Sequence, residues 1–207
     1  MTNDLQEAIT HSIERVLKLQ PTPPRSEASN LVHDIVSKIV PSDDLEREHI
    51  QETLVWIESG VPIFRMIKPN IPNKHLVSYF VLFDEVAQKI LLADHKKAQL
   101  WLPTGGHVEI NEDPKETVKR ECVEELDCVP IFWRENPLFL TSTLTVGLTA
   151  GHTDVSLWYI LKGDHQQNYS FDETEFNDIG WFDLRQIPYD KSDPHLARFI
   201  YKLRALL

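Results

Sequence analysis

The sequence predicts an α/β or α+β sandwich preceded by a helical extension. Helical periodicity broken by prolines runs up to Gly60, and β-branched and aromatic runs follow from His75. A single acidic helix lies among those runs, and strands around a central helix suggest a sandwich. The expected organisation is a helical extension over residues 1–60, a linker or first strand over 61–74, and the main domain over 75–207.

In Asn3–Leu19 the apolar positions Leu5, Ile9, Ile13, Val16 and Leu17 follow a helical spacing. After the breaker PTPP, Ala28, Leu31, Val32, Ile35, Val36 and Ile39 form a second stripe, which Pro41 ends. Asp43 and Glu46 make a capping-box pattern for a third helix, and Gly60 closes it. Beyond the proline-rich PIFRMIKPNIPNKH, strands are expected at HLVSYFVLFD, AQKILLAD and LWLP. PIFW, PLFLTSTLTV, TDVSLWYIL and WFDL are expected strands after the central helix. The closing SDPHLARFIYKLRALL reads as a helix with Pro194 in its first turn.

The chain has 207 residues with 42% hydrophobic content, enough for one substantial core. Its net charge of −11 offers no basic footprint for general nucleic-acid binding. No apolar run approaches the ~20 residues of a membrane span, so no membrane role is expected. The N-terminus lacks the basic start and apolar centre of a signal peptide, which points to the cytoplasm. Cys122 and Cys128 match no zinc pattern. Part of a helix separates them, so they are expected to be reduced and badly placed for a disulfide.

The central helix poses the chemical question. Asp113, Pro114 and Glu116 supply a cap, a first-turn proline and a capping-box partner. From that start, Val118, Cys122 and Leu126 line one face, and Glu121, Glu124 and Glu125 form an adjacent acidic stripe. Glu116 lies four before Arg120, the favourable order for an ion pair. Repulsion on a solvated stripe costs only about 0.2–0.5 kcal/mol per pair, so the acidity alone proves nothing. Immediately upstream, Gly105 and Gly106 allow a sharp turn and a close backbone approach. Carboxylates beside backbone oxygen are hard ligands, suited to Mg²⁺ or Mn²⁺.

The segment from Gly106 to Cys128 resembles the Nudix box. The box reads G, five residues, E, seven residues, REUxEExGU, with U a bulky apolar residue. Gly106, Glu112, Arg120, Glu121, Glu124 and Glu125 match at the required spacing, while Asp127 replaces the glycine and the cysteines take U positions. Together with the strand order, the resemblance covers roughly residues 70–207.

The resemblance implies an α/β/α sandwich with a mixed sheet, and metal-dependent hydrolysis of a nucleoside diphosphate linked to another group. By position, Glu124, Glu125 and the Gly105 carbonyl would bind Mg²⁺, with Mn²⁺ as substitute. Glu121 would bind metal or act as the base. Arg120 would orient Glu121, and Gly106 and Glu112 would support the loop–helix geometry.

Outside the box, Glu175 is the favoured extra metal ligand or base among Asp172, Glu173 and Glu175. His107 is a candidate phosphate contact, and His152 with Asp154 could face the pocket, although structural roles are the default. Phe80, Phe132, Trp133, Trp158 and Tyr159 could stack on a base, with core packing the better expectation for most. The stripe from Ala28 to Ile39 could serve a homodimer face or a lid; packing within its own domain is the default. Two other functions compete with hydrolysis: a non-catalytic nucleotide-binding or regulatory module, and an isoprenoid diphosphate isomerase on the same fold. The intact glutamates argue against the module, and the placement of both cysteines in or just after the box argues against the isomerase.

Overall fold

A computed structural model describes residues 25–68, 71–145 and 151–207; the helix expected over Asn3–Leu19 lies outside these. The second and third helical stripes form as α1 (Glu27–Ser37) and α2 (Asp44–Glu58). Ser26 caps α1 by accepting from the Ser29 N–H. Asp43 caps α2 by accepting from Glu46, and Gly60 follows α2 with a φ of +74°. Glu46 does not close the expected reciprocal box. Its carboxylate accepts from the Ser42 backbone and hydroxyl instead.

The strands are β1 (Lys74–Asp84), β2 (Lys89–His95), β3 (Leu100–Leu102), β4 (Thr104–His107), β5 (Phe139–Leu144), β6 (Thr153–Lys162) and β7 (Phe176–Asp183). The central helix α3 spans Pro114–Leu126, and α4 spans Leu196–Arg204. Among the described residues the strands make one mixed sheet of order β3-β2-β1-β6-β5, with β4 on β1 and β7 on β2. β1 runs parallel to β6 and antiparallel to β2 and β4. One edge of β1 is shared: Val77–Phe80 pair with β4, while Phe83 and Asp84 pair with β2. β2 and β4 therefore diverge from a common strand.

The alternation of β6 explains the layers. Leu157, Tyr159 and Leu161 enter a core with α1, α2 and α3, whereas Trp158 and Ile160 pack towards α4. Phe80 belongs to the first core, and Trp158 and Tyr159 are likewise fully buried, so these three aromatics pack rather than stack on a ligand. The α/β/α sandwich is thus present, with helices on both faces.

Several local expectations need correction. PIFW forms no strand; Phe132 makes only an isolated bridge with Leu161. Pro194 precedes α4 rather than entering its first turn. The double glycine lies within β4, not in a free turn. A Cβ at Gly105, whose φ is +136°, would stand 2.1 Å from the Ser78 carbonyl oxygen, so only glycine permits this approach of β4 to β1.

Candidate active site

Asp113 caps α3 by accepting from the Lys115 N–H, and Pro114 takes the first position. Glu116 pairs with Lys119 at 2.6 Å, not with Arg120 as its spacing favoured. Arg120 is taken by the acidic stripe. Its Nε and Nη2 donate to Glu112 at 3.3 Å each, and Nη1 donates to Glu121 at 2.6 Å and Glu124 at 3.4 Å. Glu112 is held in turn by the Thr117 hydroxyl at 2.7 Å and the Glu109 N–H at 2.9 Å. A bidentate guanidinium on an anchored carboxylate leaves little rotational freedom, so Arg120 fixes where Glu121 points.

Gly106 makes room for that carboxylate. A Cβ there would stand 2.0 Å from Glu121 Oε1. Glu125 lies deeper, 5% exposed, and accepts from the Gly105 N–H at 2.8 Å. Burial and the neighbouring Glu121 charge push Glu125 well above the usual carboxylate range. Burial also raises Glu121, against the pull of Arg120. Burial would raise Glu112 too, but Arg120, Glu109 and Thr117 bring it below its ordinary value. Glu124 is exposed and reaches solvent beside them.

These groups border an open cleft of about 1030 Å³. Glu175 lines it too, and its charge helps raise Glu121 and Glu125. Asp172 is tied differently: its backbone N–H donates to the carbonyl of Glu125, in the last turn of α3, at 3.0 Å. Glu173 is exposed, and its carbonyl accepts from Lys96. Asp127 ends α3 in the left-handed region (φ 46°, ψ 43°), so the aspartate takes the turn that glycine would otherwise supply.

That turn brings Cys128 back over Cys122, with the sulfurs of the two free thiols 3.0 Å apart. The expectation that the pair is badly placed is thereby corrected. Residues three or four apart share a helix face, but the reversal after the helix was not visible from spacing.

The cleft also holds Arg65 and Asp193, which no sequence pattern singles out, beside the expected His107, His152 and Asp154. Arg65 lies close enough to feel the charges of Glu109, Asp154 and Glu121. Asp193 is buried against the same space, and burial pushes it up to about 6. His107 is half-buried at the end of β4, with its ring 4.8 Å from that of His75. Burial, then Arg65, lowers His107 to about 3. His152 and Asp154 lie beside it, as does His75. A histidine within an apolar strand such as His75 carries no signal of its own.

A mixed sheet between helices, with carboxylates from one helix gathered over a close-packed glycine strand, defines an α/β sandwich with an acidic open cleft. The family model described as NUDIX domain matches residues 73–203, well over half of the chain, and the protein belongs to this family. Among solved structures, a Nudix-family hydrolase from Clostridium perfringens is 22% identical, with a TM-score of 0.51 over 64% of this chain and 98% of its own. The protein DR0079 of Deinococcus radiodurans is 16% identical, with a TM-score of 0.50 over 66% of this chain and 89% of its own. At these identities the likeness is one of fold. No curated protein matches the chain.

Proposed function

We propose that the protein hydrolyses a phosphoric anhydride bond in a nucleoside diphosphate linked to another group, with Mg²⁺ or Mn²⁺ as cofactor. The observation that carries this reading is Glu125. A carboxylate 5% exposed, whose one hydrogen bond among the described residues comes from the Gly105 N–H, needs a cation to carry its charge. Glutamate oxygens are the donors that suit Mg²⁺. Glu121, Glu124 and Glu125 would hold the ion, with the Gly105 carbonyl as a backbone ligand and Glu175 as the candidate further ligand or base lining the same cleft. When bound, the ion offsets diphosphate charge and lowers the pKa of water.

The chain's own residues supply the rest. Arg120 holds Glu121 towards the cleft, where a carboxylate raised by burial can accept a proton from the attacking water. Arg65 and Lys68 line the same cleft and would draw the anionic substrate in, against the overall charge of −11. The described N-terminal helices would serve as a structural buttress, because they pack into the same core as α3.

Product release from a panel of nucleoside diphosphate derivatives and triphosphates, with and without Mg²⁺, tests the reading. Turnover should require the metal and fall at least ~10²-fold in a folded Glu124→Gln variant. Metal binding without turnover across the panel would favour a binding role instead.

A further inference from the structure

We propose that His75, His107, His152 and Asp154 form a second metal site, separate from the glutamates, for a borderline divalent ion such as Zn²⁺. Three strands bring the four together. His75 pairs with Asp154 in the β1–β6 register, His107 ends β4 opposite Val77, and His152 immediately precedes β6. One ligand atom from each lies within 4.8 Å of all the others.

The contacts have the geometry of shared ligands rather than of hydrogen bonds. His75 Nε2 and His152 Nε2 lie 3.3 and 3.2 Å from Asp154 Oδ1. Yet Asp154 Oδ1 and His75 Nε2 are both buried without a hydrogen-bond partner among the described residues, as is His107 Nε2. Donor atoms around a tetrahedral ion with bonds of 2.0–2.1 Å stand about 3.3–3.4 Å apart, close to these separations.

Proton placement points the same way. His75 is fully buried, and its Nδ1 lies 2.8 Å from the Pro72 carbonyl, which can only accept. Nδ1 therefore carries a proton, and when the ring is neutral Nε2 turns a lone pair towards a carboxylate oxygen. Two acceptors facing each other in a buried site call for a cation between them. His152 Nδ1 similarly engages the Thr145 hydroxyl at 3.0 Å. A ring nitrogen held by a carbonyl or hydroxyl is the usual setting of a metal-bound histidine.

Three imidazoles and one carboxylate select zinc-like ions, whereas the glutamate cluster selects Mg²⁺. With all four positions supplied by protein, the ion is structural: it fastens β4 to β1 and β6 beside Gly105 and Gly106.

Co²⁺ titration of the chelator-treated full-length protein, in excess Mg²⁺, tests the assignment. One ion per chain should bind with the intense visible bands of a tetrahedral site and be displaced by Zn²⁺. Binding should survive Glu124→Gln and weaken more than about 100-fold in His107→Gln. His107 is half-buried with a free Nε2, so this variant should fold, which circular dichroism would check. His152→Asn should act like His107→Gln. Absence of bound Co²⁺, the weak spectrum of an octahedral oxygen site, or loss in Glu124→Gln with retention in His107→Gln would each overturn the proposal. In that last case the ion would belong to the glutamates.

Discussion

Glu125 is the residue at which burial and charge are most opposed. Its folded pKa is raised by burial first and by Glu121 second, so the folded protein binds a proton more tightly than the unfolded chain does. This residue's contribution to stability is therefore fully present below the ordinary carboxylate pKa and is lost as pH rises through the raised value. On the proposed function, Mg²⁺ would compete with that proton. Its stabilising effect should grow from pH 5 to pH 8, as read from melting temperature with and without the ion. Glu125→Gln keeps an acceptor for Gly105 and removes the charge, so it should flatten both the pH dependence and the Mg²⁺ effect. A Mg²⁺ shift that persists in this variant would place the ion elsewhere. At this scale the glutamates, Arg120 and both glycines were legible because their spacing along one segment encodes their proximity. The histidine cluster was not, because only the register of β1 against β4 and β6 brings its members together.

The end of α3 shows how one element can satisfy its pattern with an unexpected residue. Asp127 adopts the left-handed conformation and donates its N–H to the Val123 carbonyl at 3.1 Å, completing the turn. The backbone pays no penalty there if the residue is glycine, while aspartate carries some steric cost. Asp127→Gly should therefore stabilise the protein by about 0.5–1 kcal/mol in urea denaturation, with turnover unchanged. A loss of stability would mean that the aspartate side chain contributes something the turn geometry does not require. Helix starts were legible because caps are local, as Asp43 and Asp113 show. The partners of charged side chains were not. Arg120 sits four residues after Glu116 but turns to Glu112, which the chain folds back beside it.

Across the whole molecule, two charged contacts strap α2 to the C-terminal helix α4. Asp43, the cap of α2, accepts from Arg198 of α4 at 2.8 and 2.5 Å, and hydrogen bonding to Arg198 holds its carboxyl down to about 2. Glu46 is fully buried and accepts from Lys202 Nζ at 2.6 Å. Burial lowers Lys202, and Glu46 offsets that shift by favouring its charged form. The sequence shows these residues only as polar members of two distant helices, so neither contact was legible. Yet both tie the extension to the far face of the sandwich, while its apolar stripe joins the core on the near face. Lys202→Met would leave Glu46 charged, buried and without its cation. Guanidinium unfolding should then show a loss of about 3–5 kcal/mol. Adding Glu46→Gln should recover most of that loss, since the amide oxygen can still accept from Ser42 and no unpaired charge remains. A single transition that moves as a whole is expected, because α1, α2 and α4 would unfold with the sheet. If Lys202→Met costs less than about 1 kcal/mol, or splits the transition in two, the helices before Gly60 are an appendage that the sheet does not need.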